Sequence, residues 1–369
     1  MITPTDETEL AAAIAQADGP LSITSGGTRG IATAGTGLST RAMTGVTLYE
    51  PGALTMVARS GTPLDEVQSQ LVKEGQQLAF EPADYRGLLG TNGAPTLGGA
   101  FASNSSGPRR VQAGAARDFL LGVRFVDGRG TVLKNGGRVM KNVTGYDLVK
   151  LMAGAHGTLG VMSEVSFKVL PKPECTGTLV WEGLAPAQSL QVFTAAMRSP
   201  FDVTGAARVP SQGDAPSQTM IRLEGFESSV QYRMQQLQKK LQGIAQPQSL
   251  LDADALWRMV RDVEPFHGQV GAVWRSSIKP SDMPAFIDRI PGDHLVDWAG
   301  GLVWSLVDPS LDLRGLRGGI GGHSTLVRSA NGVQPFARFE PQPSPLETLA
   351  QGLRTEFDPR GILNPGLMG

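Results

Sequence analysis

The run Ser25-Gly26-Gly27-Thr28-Arg29-Gly30 constrains this chain more than any other stretch. It comes directly after a short strand-like segment at 21–24. Gly26, Gly27 and Gly30 reach backbone angles closed to other residues, so consecutive N–H groups can turn towards one point. A concave row of amides suits the oxygens of a phosphate or pyrophosphate, and Arg29 adds a permanent positive charge beside it. The next seven residues narrow the fold. A Rossmann fingerprint needs its glycine turn to open straight into a helix. Here the chain continues Ile31-Ala-Thr-Ala-Gly-Thr-Gly37, too rich in glycine and β-branched threonine for a good helix. A glycine-rich turn behind a strand is also an ordinary turn, so the downstream stretches carry the argument.

A second small-residue stretch runs from Gly90 to Gly107 and contains Thr96-Leu97-Gly98-Gly99, Ser103-Asn104 and Gly107. Small side chains let a flat ring lie against the backbone while N–H groups and hydroxyls reach its polar edge. A closely packed loop and short helix explain the same residues. The 47 glycines in 369 residues, without a collagen period or a low-complexity block, fit tight turns and close approach to a ligand.

Composition excludes several classes. A net charge of -1 leaves no electrostatic footprint for nucleic acid. A single cysteine, Cys175, rules out an intrachain disulfide framework and a cysteine-ligated iron–sulfur cluster held by this chain alone. No run approaches the roughly 20 apolar residues of a membrane span, and the acidic start lacks a signal-peptide pattern. The expectation is a cytoplasmic protein whose membrane contact, if any, is indirect.

Taken in order, residues 5–17 read as a helix capped by Thr5 or Asp6, and 47–49 and 55–59 as strands. Thr62 is expected to cap a further helix with Pro63 at its first position. Residues 119–126 and 131–134 form a hairpin about Asp127-Gly-Arg-Gly130. The run 141–152 carries Gly145-Tyr146-Asp147 into a short helix, and 165–169 is a strand before the linker Pro171-Lys-Pro173. Beyond it, helices at 187–197, 227–243, 252–262 and 281–290 and strands at 219–223, 271–278 and 301–307 make an α+β region. Val230, Met234, Leu237, Leu241 and Ile244 recur at three and four, a core stripe rather than a ligand box.

These pieces carry a resemblance. Ser25-Gly-Gly-Thr-Arg-Gly30, Thr96-Leu-Gly-Gly99, Gly145-Tyr-Asp-Leu148 and Gly157-Thr-Leu-Gly-Val161 occur in the order found in the vanillyl-alcohol-oxidase/MurB-like (PCMH-type) FAD proteins. The ending Phe357-Asp-Pro-Arg-Gly-Ile-Leu-Asn-Pro-Gly366 resembles that family's C-terminal return to the flavin. Within the family the likeness is to the FAD-binding subunits of bacterial glycolate oxidases.

The resemblance implies an α+β fold: a PCMH-type FAD-binding domain of two subdomains at 1–173, an α+β, ferredoxin-like cap at 174–335, and a returning segment at 336–369. It implies noncovalent FAD. Ser25, Gly26, Gly27, Thr28, Arg29 and Gly30 would hold the pyrophosphate. Thr96, Leu97, Gly98, Gly99, Ser103, Asn104 and Gly107 would lie along the flavin or ribityl chain. Tyr146, Gly160, Val161 and Asn364 would complete the site. It further implies a role in oxidising a small 2-hydroxy acid such as glycolate. A larger FAD-containing subunit would carry hydroxyacid oxidation and an iron–sulfur subunit would take the electrons.

The chain departs from the family at the substrate side. His156 stands where related hydroxyacid dehydrogenases have Glu, and reads more simply as a loop histidine. His323 lies where relatives place a His-rich metal motif, but no second histidine stands near it, so no metal is expected. Oxidising a 2-hydroxy acid needs a cation for the carboxylate and a base for the hydroxyl proton. Arg275, Arg317 and Arg328 are candidates for the first, with ion-pair use the plain alternative, and His323 for the second. His267 and His294 read as structural. Two other readings stay open: a self-sufficient FAD-dependent 2-hydroxyacid dehydrogenase, and a non-catalytic flavoprotein subunit for assembly or electron relay.

Overall fold

A computed structural model describes residues 1–139, 145–329 and 336–368. Residues 141–144 of the run leading to Tyr146, and the expected segment ends at 335 and 369, lie outside the described residues.

The first half is built on a five-stranded antiparallel sheet, in the order Val46–Glu50, Thr55–Arg59, Val161–Lys168, Leu120–Val126 and Val132–Gly136. Helix Leu64–Lys73 buries Leu64, Val67 and Leu71, the spacing of one helical face. Its start differs from the sequence expectation. Pro63 is the N-cap residue with no side-chain cap, because the Thr62 hydroxyl is spent on the preceding turn. It donates to the Arg59 carbonyl at 2.7 Å and accepts from Gly45 N–H at 3.0 Å. The short helix Leu97–Ala102 drives Leu97 and Phe101 into the same core, where Phe101 packs tilted against Phe80 and Phe167, each with ring centroids 5.5 Å away.

Beside this core, Leu21–Thr24 pairs in parallel with Thr36–Ser39, so the stretch after the glycine turn ends as a strand. The C-terminal segment returns here. Leu21 N–H donates to the Ile362 carbonyl at 2.7 Å, and Asn364 N–H donates to the Leu21 carbonyl at 3.0 Å. At the N-terminus, helix Glu7–Ala15 is capped by Asp6, whose carboxylate accepts from Glu9 N–H.

The second half is an eight-stranded antiparallel sheet. Helices Pro186–Met197, Glu227–Leu241 and Met283–Arg289 cover one face, with Phe193, Val230, Met234, Leu237 and Phe286 packed on Trp181, Ile221 and Trp274. The opposite face carries Val180, Met220, Val273 and Trp304 and buries them against Trp257, Val260 and Leu88. Leu88 belongs to the first half, so one apolar core is shared across the junction. Burying one such side chain contributes about 1.5–3 kcal/mol, which makes this contact a substantial part of what holds the halves together. Among the described residues no helix is long and apolar enough to cross a membrane.

Candidate functional site

The glycine turn, through Ser25 to Arg29, forms one wall of a cleft. The turn is held from below by hydroxyls. Ser25 Oγ accepts from Thr40 Oγ1 at 2.9 Å and from Thr96 Oγ1 at 2.8 Å. Thr96 Oγ1 in turn accepts from Gly99 N–H at 3.2 Å and so caps helix Leu97–Ala102. A Cβ on Gly26 would stand 1.7 Å from the Ala94 carbonyl oxygen, so only glycine lets the two loops lie this close. Gly27 has φ +70° and open space around its Cβ position.

Three walls converge. Ser25, Gly26, Gly27, Thr28 and Arg29 supply the first, and Thr96, Gly98, Gly99 and Ser103 the second. His156, Gly157, Gly160 and Val161 supply the third, with Ser60 between them. Two features leave polar groups of the cleft without protein partners. None of the N–H groups of Gly26, Gly27, Thr28, Arg29 and Gly30 donates a hydrogen bond among the described residues. Ser60 Oγ is buried and also has no partner among them. A row of N–H groups left without protein acceptors in one turn, partly sheltered by the cleft walls, fits the oxygens of a pyrophosphate. Arg29 stands beside that row, donating to the Ala83 carbonyl and Ser105 Oγ, with its guanidinium 4.7 Å over the Tyr85 ring. Burial pulls its pKa below the usual arginine value. No carboxylate pairs with it among the described residues.

Other sequence candidates sit elsewhere. Leu97 is wholly buried in the sheet core. Gly30 turns its carbonyl to Arg338 at 2.8 Å. Asn104 spends its side-chain oxygen on Arg117 N–H, and Tyr146 is 88% exposed. The Gly107 carbonyl accepts from Trp298 Nε1 at 3.1 Å, at the junction with the cap. Asn364 lies behind the cleft: its Oδ1 accepts from Ile23 N–H at 2.7 Å, and its Nδ2 donates to the His156 carbonyl at 2.9 Å. His156 packs on Phe339, with ring centroids 5.1 Å apart, and burial with the charges of Arg29 and Arg338 pushes its pKa down to about 4. Its imidazole is therefore neutral at physiological pH.

On the cap side, Arg275 lies on strand Ala272–Ser277, half-buried and stacked over Trp298 at 5.0 Å and Trp304 at 5.9 Å. It makes no ion pair among the described residues. Arg317 behaves differently. It forms a bidentate pair with Glu340 at 2.7 and 3.1 Å, and Glu340 also accepts from Ser324 N–H at 2.7 Å. That network fixes the strand whose first residue is His323, so Arg317 supports His323 rather than facing the junction with a free charge. His323 is exposed, yet the shelter around its ring and then the charge of Arg275 hold its pKa below the usual value. Arg328 is spent on the carbonyls of Leu88, Phe266 and Gln269. His267 and His294 bond to backbone carbonyls of Asp262 and Ile290.

Sequence reading missed Ser60, Gly157, Arg110 and Trp298. Gly157 opens the Gly157–Val161 motif, from which only Gly160 and Val161 were expected at the site; Ser60 lies outside the motifs, and nothing local marks Trp298.

This architecture and cleft define an FAD-binding oxidoreductase. Residues 1–136 match the family model of an FAD binding domain. The chain is 35% identical to the glycolate oxidase subunit GlcE of Escherichia coli (strain K12), across 90% of this chain and 86% of that one. It belongs to that subunit's family, and its cofactor is FAD. It is also 23% identical to the D-2-hydroxyglutarate dehydrogenase of Stutzerimonas stutzeri, across 85% of this chain and 76% of that one. A solved structure of alkyldihydroxyacetonephosphate synthase superposes over 99% of this chain and 75% of its own, with a TM-score of 0.69 and 16% identity, a likeness of fold.

Proposed function

We propose that this chain is the FAD-binding subunit of a glycolate oxidase-type complex, taking part in the oxidation of glycolate or a similar small 2-hydroxy acid. The observation that carries the reading is the cleft lined by the unpaired turn amides, together with Arg275, a cap cation without an ion pair among the described residues, and His323 on the adjoining strand, whose pKa is lowered. Bound FAD supplies the hydride acceptor. The unsatisfied amides of Gly26 to Gly30 and the charge of Arg29 would hold its pyrophosphate, and the small residues at Thr96, Gly98 and Gly99 would admit its flat ring. Arg275 would grip the substrate carboxylate. His323, kept neutral, would take the hydroxyl proton, while Arg317 keeps its strand in place through Glu340.

With one cysteine, this chain cannot by itself hold a four-cysteine cluster, so electrons would leave through a partner. We assign that role to an iron–sulfur subunit, beside a larger flavin subunit, with any membrane contact made through the complex. Similarity to the GlcD glycolate oxidase subunit of Bacillus subtilis, 39% over 104 residues, supports a shared flavin framework among such subunits.

The test is a visible spectrum recorded anaerobically with glycolate, first on the FAD-loaded chain and then on the assembled complex. Bleaching only in the complex supports the proposed subunit role. Bleaching of the isolated chain would favour the second reading, a self-sufficient 2-hydroxyacid dehydrogenase, which the presence of grip and base in one junction supports. A spectrum unmoved in both settings would rule out hydroxyacid oxidation at this flavin.

A further inference from the structure

We propose that Arg110, together with Arg275 on the indole of Trp298, forms a two-armed carboxylate site at the junction, with one arm from each half of the chain. This deepens the hydroxyacid reading and rests on it for the identity of the natural ligand. Arg110 opens the short helix Arg110–Ala113 of the first half, and Arg275 comes from the cap sheet. Their guanidinium carbons stand 4.5 and 5.0 Å from the centre of the same Trp298 ring.

Neither guanidinium has an ion-pair partner among the described residues. Arg110 uses one donor on Ser106 Oγ at 3.0 Å, and Arg275 makes no hydrogen bond there at all. Burial lowers the pKa of both, and each is further opposed by a like charge: Arg275 for Arg110, Arg29 for Arg275. Asp118 draws on Arg110 and Asp297 on Arg275 without forming an ion pair with either, and half-buried cations left unpaired favour an anion that completes the site. A carboxylate matches the planar guanidinium fork.

The indole they share is held at a cost. Trp298 and Ala299 have φ of +53° and +56°, and Gly300 comes next at +100°. A non-glycine residue in this region stores strain. The turn persists because Asp297 accepts from Trp298 N–H at 2.7 Å and the indole Nε1 donates to the Gly107 carbonyl. The same indole that carries both cations therefore ties the cap to the first half. Tyr85 extends the line towards the cofactor cleft, lying under Arg29 and edge-on to Trp304 at 5.6 Å.

The test uses the FAD-loaded full-length chain and oxalate, a small carboxylate that cannot donate a hydride. Binding is read by calorimetry and by the perturbed flavin spectrum, with inorganic phosphate and chloride as controls. Wild type is expected to bind oxalate well ahead of either control. R275Q is expected to weaken oxalate binding at least 100-fold and R110Q at least 10-fold, with FAD content unchanged. R110Q binding within twofold of wild type would overturn the second arm, and wild type with no oxalate preference would overturn the site. If R110Q loses its flavin, R110K carries the test. It keeps the charge but not the fork, so at least fivefold weakening supports the proposal and unchanged binding overturns it. Oxalate bound through both arginines in a protein that no 2-hydroxy acid reduces would leave the carboxylate site standing and sink the hydroxyacid reading.

Discussion

Arg109 of the first half grips Glu224 of the cap sheet through Nε at 3.0 Å and Nη2 at 2.6 Å. The pair is reciprocated. Arg222, on the cap sheet, donates to Glu81 of the first half at 2.8 and 3.1 Å. Each half thus contributes one acid and one base, all strongly buried, and Glu81 adopts φ +48° to take part. Removing one member leaves a buried charge uncompensated, which typically costs about 3–5 kcal/mol. E224Q should lower the unfolding free energy measured in denaturant by an amount in that range without moving the flavin spectrum. A loss below about 1 kcal/mol would show the junction held by its shared apolar core instead.

The same cluster sets an acid limit. Burial pushes the Glu224 carboxyl up, but Arg222 and Arg109 outweigh it and hold the pKa at about 2, against 4.5 for a free glutamate. The unfolded chain therefore binds its proton first. The stability from this group is complete above pH 4.5 and is lost as pH falls towards 2. Unfolding free energies measured from pH 6 to 3 should fall more steeply for wild type than for E224Q. Parallel curves would contradict the assignment.

Asp297 should act in the opposite sense. Burial drives its carboxyl up to about 7 from 3.8, with its Trp298 hydrogen bond and Arg275 only partly offsetting this. The folded form holds the proton longer than the unfolded one. Stability should decline as pH rises from about 4 to 7 and flatten above, once the folded carboxyl ionises too. D297N keeps an acceptor for Trp298 N–H and cannot ionise, so it should remove the decline and gain on wild type at pH 8. A D297N protein that loses stability equally at pH 5 and pH 8 would place the aspartate's role in its shape alone.

The glycine turn, its strand and the small residues of helix Leu97–Ala102 were legible because each is a local pattern: steric freedom, β-branching and helix-capping act within a few residues. So was the stripe of helix Glu227–Leu241, whose period is set by the helix itself. The junction was not legible. Arg110, Arg275 and Trp298 meet only because the two halves pack against each other, and no spacing along the chain encodes that meeting. Thr62 shows the same limit in miniature, its hydroxyl captured by Arg59 and Gly45 from a strand-end turn rather than by the helix it precedes.

Flavin retention gives the most direct check on the cleft. Replacing Gly27 and Gly99 together by valine puts a side chain at φ +70° in the turn and another 3.2 Å from Thr96 Oγ1. The turn amides and the capped helix would lose their mutual alignment. The double variant should purify with a tenth or less of the wild-type ratio of absorbance at about 450 nm to that at 280 nm, while the cap's near-ultraviolet signal from Trp181 and Trp274 is kept. Wild-type flavin content in a folded double variant would remove the turn from the FAD site.

Asn364 separates what its backbone does from what its side chain does. It is 2% exposed, sits at φ +47°, and its amide joins Ile23, Thr33 and the His156 carbonyl. Asparagine is among the few non-glycine residues that take this conformation readily. N364G would keep the backbone at ease and lose only the side-chain bonds, whereas N364A would lose both. If the strained return matters, N364A should be less stable than N364G by about 1 kcal/mol. Both should hold FAD more weakly than wild type, because the amide ties the glycine-turn strand to the loop bearing His156 and Gly157, two walls of one cleft. Equal stability of the two variants would show the backbone free to relax. Unchanged flavin affinity in both would show the walls held by the sheet core without the tail.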